Sequence, residues 1–185
     1  IDSISPQVIP TSGGAVMVLS GVNFGLANVS VGGGATSLRV GGRLVSGASV
    51  LVWNHSSIVF VSPRGGGANQ AVSLVVSGQS ATAGAALSVS GSLGLYVNYG
   101  VPSVTSVSGC IDDAFPRALS CDVNGQLITI GGSNFGNNAS LVSVSVGGSV
   151  CSNPQVLLAD SAVRGGLAGR AEGGFKLGVL GQVDA

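Results

Sequence analysis

The amino-acid sequence predicts an all-β protein built from two copies of one module, and three observations lead to this prediction. Hydrophobic residues make up 45% of the chain, and 32 glycines supply turns. The hydrophobic residues are mostly Val, Ala, Leu and Ile, a mixture that suits short strands. Apolar residues alternate with polar ones or form short runs, and no helical period persists over about a dozen residues. In addition, three blocks of sequence recur in the same order.

The strand prediction rests on segments that clusters of Gly, Asn, Pro and Ser separate from one another. Two such clusters are Asn23-Phe24-Gly25 and 63–67. The predicted strands are 15–19, 37–40, 57–61, 71–76, 126–130 and 141–146.

The internal repeat divides the chain into two modules. The matched blocks are 1–5 with 104–108, 19–25 with 130–136, and 39–42 with 145–148. The second copy is longer between its first two blocks, and the extra residues include Cys110 and Cys121. A proline-containing linker, 99–102, separates the copies. We therefore predict one module over 1–99 and a second over 100–185.

The charge content excludes several classes of partner. Only 8% of the residues are charged and the formal net charge is zero, whereas about 25% of residues are charged in an average domain. Nucleic-acid binding needs clustered Lys and Arg, and the seven basic residues here are dispersed. No apolar run approaches the roughly 18 residues of a membrane span. We expect no nucleic-acid partner, no membrane insertion and no cofactor.

The shortage of charge also bears on solubility and location. A neutral, apolar surface tends to associate, and covalent glycans or burial against neighbouring copies would counter this tendency. The chain begins at Ile1 without an initiator Met or a signal peptide, so we expect a fragment of a longer or processed protein. The expected location is extracellular or at the cell surface.

Both copies resemble the IPT/TIG family of immunoglobulin-like modules, which plexins and some transcription factors share. In the first copy the resemblance covers nearly all of 1–99 and is carried by Ile4-Ser5-Pro6, Gly13-Gly14, 20–25, Val40-Gly41-Gly42, Trp53, Ser57-Ile58, Val61-Ser62-Pro63 and Leu95-Tyr96-Val97. In the second copy it covers 104–151 and is similar to tandem repeats of large protist cell-surface proteins. After Cys151 the pattern is not recognisable, so we expect a divergent or incomplete C-terminal part. The resemblance implies two tandem immunoglobulin-like β-sandwiches of the early set, with about seven strands each.

The three cysteines fall in or after the longer segment of the second copy. Cys110 and Cys121 close a short loop, and a disulfide between them would stabilise the fold by about 2–3 kcal/mol. Two buried free thiols are the alternative. Cys151 occupies a position that pairs with a later cysteine in the family pattern, and that later cysteine is absent here. Two interpretations of Cys151 stay open, a free thiol and a bridge to another chain.

Three N-glycosylation sequons lie in or beside predicted turns and strand ends. They begin at Asn28, Asn54 and Asn138, and in a secreted protein such motifs accept N-linked glycans. The alternative is that these asparagines serve turn geometry without modification.

Candidates for catalytic or metal chemistry are few. His55 is the only histidine and lies inside a sequon, and no spacing pairs it with a serine and a carboxylate. Asp112, Asp113 and Asp122 could gather around Ca²⁺, but no known ligand-loop spacing appears, which favours a solvated acidic loop. Trp53 is interpreted as a core residue and not as a sugar-stacking platform. We expect no enzyme activity and no metal site. Phe24 and Phe135 are predicted to close the sandwich ends.

Three functions remain open on these grounds. The leading hypothesis is an extracellular structural or adhesive protein whose glycosylated modules self-associate into a stalk or filament, through head-to-tail contacts. The second is a receptor or adhesin ectodomain that binds a protein ligand. The third is an accessory module of a carbohydrate-active enzyme, although no cluster of aromatic residues supports it.

Overall fold

The computed structural model forms two compact units, Ile1–Tyr99 and Gly100–Val183, which are called the first and second modules below. The residues that the structure describes are 1–25, 35–81, 88–89, 92–93, 95–109, 112–114, 117–119, 124–136, 138–146, 149–158, 161–168 and 173–179.

The described strands of the first module are β1 (Ser3–Ser5), β2 (Val8–Ile9), β3 (Val16–Ser20), β4 (Ser37–Val40), β5 (Arg43–Leu44), β6 (Val50–Trp53), β7 (Ser57–Val61), β8 (Gln70–Val76), β9 (Gln79–Ser80), β10 (Ser88–Val89), β11 (Ser92–Leu93) and β12 (Tyr96–Tyr99). A 3-10 turn, Gly47–Ser49, precedes β6.

The described strands of the second module are β13 (Ser103–Ser108), β14 (Asp112–Ala114), β15 (Arg117–Leu119), β16 (Asn124–Ser133), β17 (Val142–Val146), β18 (Ser149–Leu158), β19 (Ala162–Ala168) and β20 (Gly173–Val179). A 3-10 turn, Ala139–Leu141, leads into β17.

In the first module two sheets pack as a sandwich, and β10 pairs with β11 in a separate two-stranded sheet. One sheet has the strand order β1-β3-β7-β6, and the other has the order β2-β12-β8-β4-β5 with β9 added to β8. Strands β2 and β12 are parallel, whereas the other pairs in these sheets are antiparallel. Burial alternates along β3 and β7, because successive side chains of a strand point to opposite faces. Each sheet therefore sends every second side chain into the space between the sheets.

The core of the first module draws large apolar side chains from both sheets, and the apolar area removed from water is the main force that holds the sheets together. Fully or almost fully buried members include Met17, Leu19, Ile58 and Phe60 from one sheet and Leu38, Val40, Leu74 and Val97 from the other.

The second module forms one connected path of strands, β13-β16-β19-β18-β17-β20-β15-β14. Its core joins side chains of β13, β16, β18 and β19 to side chains of β17, so the path folds into two layers. The buried members are Val107, Ile128, Ile130, Phe135, Val142, Val144, Cys151 and Val163. The all-β prediction is confirmed.

Several strand predictions agree with the structure to within a residue or two, and one region differs. Segments 37–40 and 57–61 have the predicted bounds, and the strand predicted at 15–19 runs over Val16–Ser20. After Cys151, where the sequence pattern is not recognisable, the structure has the rest of β18 together with β19 and β20. Glycines interrupt the alternation in β19 and β20, and pairing with β16, β17 and β18 selects the strand conformation instead.

The repeated Asn-Phe-Gly turn has the same backbone form in both modules. Asn23 and Asn134 have φ of 65° and 60°, and the glycines two residues later have φ of 79° and 75°. Asn and Gly tolerate this left-handed conformation better than other residues. The phenylalanine between them turns inward and is 2% exposed in the first module and 0% in the second. The predicted burial of Phe24 and Phe135 is confirmed.

Candidate functional site

Asn54 lies in the tight turn that joins β6 to β7. Its backbone N–H donates to the carbonyl of Ser57, at 2.9 Å, and closes the turn. Its side-chain Oδ1 accepts from the backbone N–H groups of Ser56 and Ser57, at 3.0 and 2.8 Å, and lies 3.3 Å from the Ser56 hydroxyl. Asn54, His55 and Ser56 are exposed. Within the described residues, Nδ2 of Asn54 takes part in no hydrogen bond.

Two backbone hydrogen bonds anchor this turn to the body of the first module. The N–H of Gly21 donates to the carbonyl of Ser56, and the N–H of Phe24 donates to the carbonyl of His55, both at 3.0 Å. The Asn-Phe-Gly turn and the sequon turn therefore hold each other in place. The orientation of the Asn54 side chain is fixed relative to the sandwich.

Asn138, in the second module, also lies in a turn, although in a different part of the fold from Asn54. It caps the 3-10 turn Ala139–Leu141, and its Oδ1 accepts from the N–H of Ser140 at 3.1 Å. Asn138 is exposed. In both described sequons the amide oxygen binds the turn, and the amide nitrogen has no partner among the described residues. This geometry serves the turn and leaves the nitrogen accessible for modification.

The third sequon and the predicted disulfide lie in parts of the chain outside the described residues. Asn28, Cys110, Cys121 and Asp122 lie outside the described residues, so the glycan at Asn28 and the Cys110–Cys121 bridge stay predictions. Asp112 and Asp113 lie on β14.

Cys151 is a free thiol in the core of the second module and is 4% exposed. A Cβ on Gly165 would lie 3.1 Å from the Cβ of Cys151, so the neighbouring strand packs closely against it. Burial raises the pKa of the Cys151 thiol. A bridge to another chain would require β18 to open locally. The free-thiol interpretation agrees with this position.

An apolar face covers the outer side of the sheet that contains β3, β7 and β6. Val18 pairs with Val59, and Val59 pairs with Val52, which places the three side chains in one row across three strands. They form the valine row, in which Val18 is 37% exposed, Val52 is 47% exposed and Val59 is half-buried. Val16, beside the row, is 54% exposed. The sequences of β3 and β7 are apolar on both faces, and this signal is visible in the sequence alone.

Trp53 and Tyr99, two aromatic residues of the first module, belong to its core. Trp53 is 7% exposed, and its Nε1 donates to the carbonyl of Phe24 at 2.8 Å. Tyr99 is 4% exposed, and its hydroxyl donates to the carbonyl of Pro63 at 3.0 Å. The interpretation of Trp53 as a core residue is confirmed. Neither ring is placed to stack on a sugar.

One cleft, of about 330 Å³, lies at an end of the first module. One wall comes from Ile1 and the Asn-Phe-Gly turn, and the other comes from the β8–β9 hairpin. Its lining consists of Ile1, Val22, Asn23, Phe24, Leu74, Val76, Gln79, Ser80 and Ala81. Among the described residues, this lining contains no charged side chain and no histidine.

The described residues provide no further chemical centre. No three His, Cys, Asp or Glu side chains in the described ranges are grouped so that they could hold a metal ion. His55 lies exposed in the sequon turn. In the part of the chain that the structure describes, no helix has the length and apolar character to cross a membrane.

Comparison with models of known families identifies the family of this chain. The model of the IPT/TIG domain family matches residues 1–89 and again residues 110–182. The chain belongs to the IPT/TIG family. The two matches correspond to two tandem immunoglobulin-like β-sandwiches, as the sequence predicts. The second match continues past Cys151 and includes the strands that the sequence pattern alone does not indicate.

Comparisons with individual proteins add little beyond the IPT/TIG fold. No curated protein matches the chain. Among solved structures, the full extracellular region of plexin A4, domains 1 to 10, is 15% identical over 94% of the chain, with a TM-score of 0.37. A second structure of that region, with domains 1 to 8, is 16% identical over 98% of the chain, also with a TM-score of 0.37. The chain spans 13% and 16% of the length of the chains in these two structures.

Proposed function

We propose that this IPT/TIG chain is a non-catalytic, extracellular structural or adhesive segment whose modules assemble head to tail into a stalk or filament. The observation that carries the proposal is the geometry of Asn54 and Asn138. Each module presents an exposed sequon on an ordered turn, with the amide nitrogen unengaged among the described residues. Exposed sequons of this kind are acceptors for N-linked glycans in secreted proteins.

The distribution of charge supports assembly between unlike modules. Residues 1–99 contain three basic residues against one acidic residue, whereas residues 100–185 contain four basic residues against six acidic ones. The first module is therefore net positive and the second net negative, although the whole chain is neutral. Opposite net charges favour a contact between the first module of one copy and the second module of the next. A contact of this head-to-tail type repeats without closing and builds a fibre.

Sedimentation at low and high salt tests the assembly. Salt screens charges that lie more than about 8–10 Å apart, so the average mass at a fixed high protein concentration should fall as salt is added. A chain that sediments as a monomer at low salt and high micromolar concentration contradicts head-to-tail assembly. Reversing the charge of the first module through Arg39→Glu and Arg64→Glu should also abolish the association. Both side chains are exposed, so the fold should persist.

The location is tested independently of assembly. An antibody against the chain should label intact, unpermeabilised source cells or their medium. Labelling that appears only after permeabilisation contradicts the extracellular proposal. The two tests can fail separately, because a secreted module need not self-associate.

The second candidate, a receptor or adhesin ectodomain, is favoured by the exposed valine row. An apolar face on a well-packed sheet is a feature of protein interaction sites. Under this alternative, a discrete protein is captured by the wild-type chain and is lost with Val18→Lys. Equal capture of that protein by the wild type and by Val18→Lys would count against the valine row as the binding site.

A further inference from the structure

Strand β6 is an edge of its sheet and has an apolar sequence. Among the described residues it pairs only with β7, so one side of its backbone is unpaired there. Val50–Trp53 includes no charged residue and no proline, two devices that prevent edges from pairing in other proteins. A bulge between Val50 and Val52 leaves Leu51 without a partner residue and 55% exposed. An edge of this composition is a template for another strand.

The valine row extends this apolar edge across the sheet. Val52 belongs to both features, because it lies on the edge strand and at one end of the row. The four strands of this sheet, β1, β3, β7 and β6, contain no charged residue. A second copy that paired along β6 would therefore meet no charge repulsion and no cost of burying an unpaired charge. Charge on these four strands therefore does not oppose such pairing.

Asn54 is the residue that directly follows β6. Its turn is closed by the hydrogen bonds to Ser56 and Ser57 and is anchored to Gly21 and Phe24. These contacts fix Oδ1 and leave Nδ2 without a partner among the described residues. A group attached to Nδ2 would start at the end of the edge strand and would have a fixed point of attachment.

We propose that Asn54 carries an N-linked glycan that covers β6 and the valine row, and that this glycan keeps the first modules of two copies from pairing edge to edge. The inference rests on the extracellular location proposed above, because the secretory route supplies the co-reactant, an oligosaccharide activated as a glycosyl diphosphate. Nδ2 forms a bond to the anomeric carbon while the bond from that carbon to the diphosphate oxygen breaks. The diphosphate leaves with the bonding electrons, and Nδ2 gives up one proton to a base.

Asn138 provides a matched control within the same chain. Its turn leads into β17, which pairs with β18 on one side and with β20 on the other. A glycan on Asn138 therefore does not start beside an unpaired edge. Loss of the Asn138 glycan should change the mass but not the pairing of first modules.

The test compares variants of the whole chain, directed to a eukaryotic secretory pathway, by peptide mass and by sedimentation at high salt. High salt screens the head-to-tail contact proposed above, whereas it does not weaken apolar pairing. Asn54→Gln and Ser56→Ala both remove the acceptor motif. Ser56→Thr keeps it, and Asn138→Gln removes only the control site. Val52→Lys in the Asn54→Gln background places a charge on the edge.

We expect the wild type, Ser56→Thr and Asn138→Gln to sediment as monomers at high salt. Asn54→Gln and Ser56→Ala should rise towards the mass of a dimer as concentration increases, and Val52→Lys should return Asn54→Gln to a monomer. A glycan at Asn138 with none at Asn54 overturns this inference and leaves the proposed location intact. Bare asparagine at both positions overturns both proposals. A glycosylated Asn54 whose removal leaves sedimentation unchanged overturns the covering role.

Discussion

The ring of Phe24 lies directly over the α-carbon of Gly21. A Cβ added at Gly21 would lie 2.5 Å from Cζ of that ring, and the same relationship recurs in the second module, where a Cβ at Gly132 would lie 2.5 Å from Cζ of Phe135. The glycine three residues before each phenylalanine is therefore part of the Asn-Phe-Gly motif. The ring that closes the sandwich end occupies the space that a side chain at this position would need.

This packing predicts that Gly21→Ala destabilises the first module. The added methyl group forces the Phe24 ring out of its site, and overpacking of this kind costs about 1–3 kcal/mol. Gly66→Ala is the control, because a Cβ there meets nothing within 4 Å, and its effect should stay within about 0.5 kcal/mol. Urea unfolding of both variants measures the difference. Equal unfolding midpoints for the two variants would show that the packing of the Phe24 ring does not require a glycine at position 21.

Asn134 predicts an ordering of two substitutions. Its backbone is left-handed, and its Nδ2 donates to the carbonyl of Val101 at 3.1 Å. Asn134→Gly loses the hydrogen bond, but glycine tolerates the left-handed backbone conformation. Asn134→Ala loses the same bond and adds backbone strain of roughly 1 kcal/mol. Thermal unfolding should therefore rank wild type above Asn134→Gly and Asn134→Gly above Asn134→Ala. The reverse order of the two variants would contradict the role of the backbone.

Tyr99 predicts a loss of stability at alkaline pH. Burial raises the pKa of Tyr99 above its usual value of 10.0, and Arg43 opposes part of this rise. The folded state therefore holds the phenolic proton more tightly than the unfolded state does. The stability that this difference contributes is complete below the unfolded value and is lost as pH rises through the folded pKa.

Tyr99→Phe tests this expectation together with the hydrogen bond to Pro63. Loss of this hydrogen bond should lower the free energy of unfolding by about 1 kcal/mol near neutral pH. The substitution should also reduce the decline in stability at alkaline pH. Tyr96→Phe is the matched control, since Tyr96 is half-buried and has no hydrogen bond from its hydroxyl among the described residues. A Tyr99→Phe curve that runs parallel to the wild type through alkaline pH would exclude Tyr99 as the titrating group.

Alkylation should distinguish the free thiol of Cys151 from the other two cysteines of the second module. Because burial raises the pKa of Cys151 and the thiolate is the reactive form, alkylation should be slow in the native protein and fast in denaturant. In unreduced, denatured protein only Cys151 should react, and reduction should release Cys110 and Cys121 as well. Peptide masses give the result. Three thiols that react without reduction would contradict the predicted disulfide.

Much of the fold could be predicted because the local signals agree with one another. In β4 and β7 the alternation, the flanking turns and the strand propensity all indicate the same bounds, and the structure has those bounds. The strands after Cys151 could not be predicted in this way. Gly165 takes an inward-facing position in β19, and β20 begins with two glycines, so long-range pairing and not the local pattern decides their conformation.

The candidate site was only partly predictable. The sequons at Asn54 and Asn138 are visible as motifs, but the motif does not say that the turn holds Oδ1 while Nδ2 has no partner among the described residues. The valine row is a product of strand register, because Val18, Val59 and Val52 come from three separate segments. Their alignment depends on the bulge in β6, which no local signal indicates.

The central claim is that these IPT/TIG modules are extracellular and glycosylated, and peptide masses test it most directly. Protein purified from its natural source is digested before and after enzymatic removal of N-glycans that converts each glycosylated asparagine to aspartate. We predict that the peptides carrying Asn54 and Asn138 appear at their polypeptide mass, with aspartate at the sequon, only after this treatment. Both peptides at their unmodified mass before treatment, with asparagine intact, would contradict the account.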